Sequence, residues 1–329
     1  MQVGLLTDGL PDWSLTEVLD WLPGAAPQVE ALELGTGGYS PAPHCPRAAL
    51  LADEGAALHL RDSIAERGLE LVALNVSGNP LHPDPAIASA HTRDLRETVE
   101  LAARLGVKRI VAMSGTPGAG PEPASAPHFV AGAWLPDFED VLEWQWEERI
   151  LPFWTAFGAE VVAVDPELRI CLELHPGTAV YNLQSFDRLA AEVDGVAVNL
   201  DPSHFFWQEA DPLLVMDGLQ GRIGFAHGKD TLIQRDNRAL NGILDARWPG
   251  EPREMPWVFS TPGDVHDVAW WTRFVEGLEA AGHDGTISIE YEDPYRSATE
   301  GIAAAAQVLA AAIDATEGQA SGVVPADDR

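Results

Sequence analysis

Cysteine is nearly absent from this 329-residue chain: Cys45 and Cys171 are the only two. That is too few for a disulfide framework and suits a reducing compartment, so a cytoplasmic location is expected. Lysine is as scarce, with only Lys108 and Lys229, and the cations as a whole number 20 against 51 acids. The resulting net charge of −31 repels a phosphate backbone and excludes a general nucleic-acid binder. No apolar run reaches the roughly 18 residues of a membrane span, and the start, MQVGLLTDGLPDW, lacks the basic opening of a signal peptide. No membrane association is expected. The 46% hydrophobic content that remains is ordinary for a folded domain.

What is present is a regular alternation. Short aliphatic runs (Val3–Leu6, Val29–Leu34, Leu69–Asn75, Lys108–Met113, Arg169–Glu173, Val196–Asp201, Arg222–His227, Thr286–Tyr291) are separated by longer stretches with helical spacing. Ser14-Leu15-Thr16-Glu17 and Ser297-Ala298-Thr299-Glu300 read as capping boxes, and Gly68 and Gly106 as helix stops after single helices over 47–67 and 86–105. Another helix is expected over 138–157. Eight βα units in a chain of this length predict an α/β (β/α)₈ TIM barrel over residues 1–315, with a polar tail over 316–329. A doubly wound open sheet is the competitor, but Thr7-Asp8-Gly9-Leu10-Pro11 is not the glycine-rich phosphate turn it requires. Residues 115–136, after the fourth strand, and 234–262, after the seventh, are long for barrel loops and are read as insertions.

The last four strands each end in a ligand-type side chain: Glu173, Asp201, His227 and Glu290. A barrel brings its C-terminal strand ends to one face. Three carboxylates converging there repel one another and lose hydration unless a cation joins them. Three oxygens and one imidazole suit Mn²⁺, Mg²⁺ or Co²⁺, with Zn²⁺ also compatible. One such residue at a single strand end is usually a helix cap or a solvated acid; four in succession form a pattern.

Those residues sit in Glu-Leu-His-Pro-Gly (173–177), Asp-Pro-Ser-His (201–204), His-Gly-Lys-Asp (227–230) and Ile-Glu-Tyr-Glu-Asp (289–293). The set resembles the sugar isomerase/epimerase branch of the xylose isomerase-like TIM barrels over about residues 1–315. The resemblance implies that Glu173, Asp201, His227 and Glu290 bind one divalent ion, commonly Mn²⁺. It also implies that Glu173 and Glu290 face a substrate carbon from opposite sides and move its proton, and that His204 and Lys229 contact substrate oxygens. The motifs are also similar to the larger subunit of C-glycoside deglycosidases, which work with a smaller partner chain on a 3-oxo-sugar joined to an aromatic aglycone. A homo-oligomer or such a hetero-oligomer is therefore expected. Endonucleolytic repair, known elsewhere in this fold, conflicts with the net charge, and a barrel that binds sugar without turnover is the non-enzymatic alternative.

Other groups have both a functional and a structural reading. His175, two residues past Glu173 in extended chain, points to the same side and joins the substrate contacts or packs its loop. Asn75 offers its amide to sugar hydroxyls or to a turn with Ser77 and Asn79. His128 becomes an added acid or base if its loop folds over the mouth, and is otherwise solvated. Glu292 orients a ligand from behind or is a loop acid. Trp144–Glu148 reads as helix packing and Cys171 as a buried strand residue. The mouth has few cations, so a neutral sugar or glycoside fits at least as well as a sugar phosphate.

Overall fold

A computed structural model describes residues 1–246 and 250–321. Eight parallel strands close into a barrel: β1 (Gln2–Leu6), β2 (Val29–Gly35), β3 (Glu70–Asn75), β4 (Arg109–Met113), β5 (Arg169–Glu173), β6 (Val196–Leu200), β7 (Ile223–Gly228) and, after a small pair β8 (Asp230–Ile233) and β9 (Trp257–Ser260), β10 (Thr286–Ile289). The register runs unbroken from β4 to β5, Arg109 beside Arg169 and Met113 beside Glu173, and β10 closes onto β1. The (β/α)₈ expectation holds.

Strand alternation sorts side chains into two cores. Ile170 and Leu172 of β5 join the large cluster packed under the surrounding helices. Cys171, between them, belongs to a separate small cluster with Ala73, Val111, Ala197 and Phe225 inside the barrel. Only small side chains accompany Phe225 there. A Cβ on Gly224 would lie 2.7 Å from Cys171 Sγ and 2.8 Å from Ala197 Cβ, so glycine permits that approach. Burial pushes the Cys171 thiol up to about 12, as an inert core residue requires. The same alternation turns Glu33, Glu173, Asn199, His227 and Glu290 inward.

Four local expectations are corrected. The helix over 47–67 is two, Arg47–Ala52 and Glu54–Ala65, because Asp53 is extended and its carboxylate accepts the N–H groups of Gly55 and Ala56. The helix over 138–157 becomes Pro136–Gln145, a π turn Trp146–Ile150 and Leu151–Val164; Pro152 has no N–H to continue the regular ladder. Within 234–262 the chain forms helix Arg235–Asn241 and the returning strand β9, antiparallel to β8. The final helix runs Ala298–Ser321, past the expected start of the polar tail, whose residues 322–329 lie outside the described ones. Ala298–Gly318 is long and apolar enough by length and composition alone to cross a membrane, although Glu300, Gln307 and Asp314 break its apolar run. Its Ile302, Ala305, Ala306, Leu309 and Ile313 are buried in the large core, so it is a packed barrel helix.

Candidate metal and active site

Glu173 ends β5, Asp201 follows β6, His227 lies near the end of β7 and Glu290 follows β10. One ligand atom from each lies within 4.8 Å of the others. Bonds of about 2.0–2.4 Å put donors on opposite sides of an ion at most about twice that distance apart, so the four can surround one cation. Glu173, Asp201 and His227 are buried, while 17% of the Glu290 side chain is exposed. Asp201 Oδ1 accepts the Ser203 N–H at 2.9 Å, whereas Oδ2 is buried without a hydrogen bond, although Lys229 Nζ is 3.0 Å away as an ion pair. A buried carboxylate oxygen that has a charge partner but no hydrogen bond, set among three other ligand-type groups, fits a metal ion.

Two internal cations share this charge. Lys229 Nζ lies 2.6 Å from Glu290 Oε2 and 2.9 Å from Glu292 Oε2, over the Phe259 ring at 4.3 Å. Burial opposes its charge, but Asp201, Glu290 and Glu292 prevail and hold its pKa well above the ordinary value. His227 Nδ1 lies 3.0 Å from Glu290 Oε2, and its Nε2 lies 3.1 Å from Glu33 Oε2. Burial alone would keep that imidazole neutral; the Glu33 and Glu290 carboxylates outweigh it and raise its pKa well above normal. Burial also acts to raise Glu290, yet Lys229 and His227 hold it well below the usual carboxylate range. Glu292 keeps 44% of its side chain exposed, and its carboxyl is raised by the protein crowded around it and by Glu290, against the pull of Lys229.

His204, from the short helix Ser203–Phe206, places Nε2 2.8 Å from Glu173 Oε1 and 3.4 Å from Asp201 Oδ2. Burial, then His175, drives its pKa well below normal, so it is a neutral donor to Glu173. Its Nδ1 is buried without a partner. The His175 ring packs on His204 at 4.2 Å, with its Nδ1 turned to the Pro176 carbonyl at 2.6 Å. Asn75 is committed elsewhere: Nδ2 donates to Glu33 Oε1 at 2.8 Å and Oδ1 accepts the Ser77 N–H. The fold does not bring His128 to the cluster; it is exposed, and its backbone is what bonds to Pro117 and Gln145.

Sequence reasoning missed Glu33, fully buried between His227 and Asn75. The signal was present: Leu32-Glu33-Leu34 places an acid on the inward face near the end of β2, as at the four recognised strands.

The xylose isomerase-like TIM barrel family model matches residues 29–312. The uncharacterized protein YfiH of Bacillus subtilis (strain 168) is 34% identical over 314 residues, covering 94% of this chain and 98% of that protein. The structure of L-ribulose 3-epimerase superposes with a TM-score of 0.63 at 14% identity over 100% of both chains. The IOLI protein with a bound zinc atom superposes at 0.60 and 16% identity, over 97% of this chain and 99% of that one. These two structural likenesses concern the fold. The family match and the relative establish that the chain belongs to the xylose isomerase-like TIM barrels.

Proposed function

We propose that the protein is a divalent-metal-dependent enzyme, with Mn²⁺ as its ion, that moves a proton at a sugar carbon next to a carbonyl or hydroxyl, as an isomerase or epimerase. The observation that carries this is the convergence of Glu173, Asp201, His227 and Glu290, with ligand atoms within 4.8 Å of one another. When bound, the metal supplies Lewis-acid stabilisation of negative charge on substrate oxygens. Glu173 receives the Nε2–H of neutral His204 on Oε1, which fixes the carboxylate and leaves Oε2 outside that bond to take a proton. Glu290, paired with Lys229 Nζ, is the second carboxylate of the pair. Lys229 and His204 contact substrate oxygens, with His175 packed behind His204. Lys229 is already balanced by three carboxylates, so a neutral sugar or glycoside suits the mouth better than an anion.

A second reading, elimination of an aromatic aglycone from a 3-oxo-glycoside with the help of a smaller subunit, is favoured by the aromatic surroundings. Phe259 meets His204 edge-on at 5.4 Å.

The test combines metal content with the fate of one hydrogen. About one divalent ion per chain is expected by elemental analysis. Free sugars and 3-oxo-glycosides deuterated at the reacting carbon should show a primary isotope effect in single turnover, with label loss or migration. Release of the aglycone selects the second reading. Absence of metal together with full activity in chelator rejects the proposal, and binding of sugar with no exchange identifies a non-catalytic barrel.

A further inference from the structure

His227 is held at both ring nitrogens, and the two sides differ. Nδ1 faces the cluster, 3.0 Å from Glu290 Oε2, with the Asn199 amide nitrogen at 3.2 Å. Nε2 points away, to both oxygens of Glu33 at 3.1 and 3.3 Å. Glu33 is itself fixed: its Oε1 accepts from Asn75 Nδ2 at 2.8 Å, and Asn75 Oδ1 is anchored by the Ser77 N–H at 3.1 Å. Glu33, His227 and Asn75 are all buried, so water does not substitute for these bonds. An imidazole bound to a metal through one nitrogen must carry its proton on the other, and an acceptor placed there selects that tautomer and the ring's rotation.

We propose that Glu33 is a positioning residue: its carboxylate takes the Nε2–H of His227 and so presents Nδ1 as the metal-binding nitrogen, with Asn75 holding Glu33 in place. This rests on the metal-enzyme reading above and assigns Asn75 to support of the ligand shell in place of sugar contact. It also explains a buried carboxylate that the proton-transfer chemistry does not use. Without an acceptor at Nε2, the ring is free to turn or to place its proton on Nδ1, where it blocks the ligand position.

The test uses the full chain stripped of metal and titrated with Mn²⁺, the free ion being read by electron paramagnetic resonance. Glu33→Ala should weaken Mn²⁺ binding on the order of 10–100-fold. Glu33→Gln, which keeps an acceptor oxygen, should recover much of that loss, and Asn75→Ala should cost less than Glu33→Ala. Unchanged Mn²⁺ affinity in folded Glu33→Ala overturns the proposal, as does Glu33→Gln binding as poorly as Glu33→Ala. If Glu33→Ala does not fold, ¹⁵N-histidine spectra decide. The His227 signal, assigned by its loss in His227→Gln, should show a proton retained at Nε2 in the wild type and a changed nitrogen pattern in Glu33→Gln. A wild-type His227 with bare Nε2 overturns the proposal. Should the wild type bind no Mn²⁺, the metal-enzyme reading fails, and these spectra alone judge whether Glu33 sets the tautomer.

Discussion

The two ends of the barrel handle charge in opposite ways. At the N-terminal end, Arg109 and Arg169 lie side by side at the starts of β4 and β5. Arg109 donates to the carbonyls of Gly224 and Lys108, and Arg169 to those of Pro166 and Leu168. Lys108 pairs at the surface with Asp165 and Glu167. Each cation there finds its own acceptors. At the C-terminal end the acids converge on shared cations, and Asn199 Oδ1, Asp201 Oδ2, Ser203 Oγ and His204 Nδ1 are buried without hydrogen-bond partners. Charge that is locally satisfied makes a stable base, whereas charge that converges and stays partly unsatisfied makes a place for a ligand.

The largest expected effect breaks that contrast at its active end. Glu173→Gln and Glu290→Gln should each lower kcat on the order of 10³-fold or more, since each removes a ligand charge and a proton-transfer group. Arg169→Gln, which likewise removes one unit of charge but at the base, should leave kcat within about twofold once the protein is folded, because its hydrogen bonds among the described residues go to backbone carbonyls. Steady-state assays of the three variants decide; a near-normal kcat in either glutamine variant removes that carboxylate from the chemistry.

The next effect is on stability. Lys229 is 2% exposed and lies against Asp201, Glu290 and Glu292. Lys229→Met leaves those acids with His227 as their one internal cation among the described residues, and stranding buried charge costs about 3–5 kcal/mol. Urea unfolding of chelator-treated protein should show that loss, and Mn²⁺ should restore part of it by neutralising the same carboxylates. A loss below about 1 kcal/mol would mean that the acids do not depend on Lys229.

The contrast between the ends was only partly legible in the sequence. Glu173, Asp201, His227 and Glu290 could be read because period-two alternation and barrel closure place strand-end residues together regardless of side-chain detail. Glu33 obeys the same rule, but β2 carries no accompanying His-Pro or His-Gly-Lys motif to draw attention to it. The balance at Lys229 was invisible, since it depends on side chains from three separate segments meeting at one nitrogen. Strands β8 and β9 are four residues each, too short for alternation to separate from loop. The break at Asp53 hid inside a continuous apolar rhythm that its capping side chain interrupts.

The smallest effect lies at the base and has a definite sign. His283 is 6% exposed, and its Nε2 lies 3.2 Å from the Thr286 carbonyl, as expected of a neutral ring donating there. Burial is the largest influence and lowers its pKa below the ordinary 6.5, against the opposing hydrogen bond to Thr286 and the nearby Asp284. The folded ring therefore resists a proton that the unfolded chain accepts. Its contribution to stability is fully present above pH 6.5 and is lost as pH falls from there toward the lowered folded value, at about 1.4 kcal/mol for each unit of displacement. His283→Gln keeps a donor for Thr286 but cannot titrate. Urea midpoints at pH 7.5 and 5.5, with equal added Mn²⁺, should fall further in the wild type than in this variant. The carboxylate end titrates in both proteins and cancels in the difference. Equal losses would show that the base takes up no proton on unfolding through His283, and that the pH response of the barrel belongs to its metal-binding end.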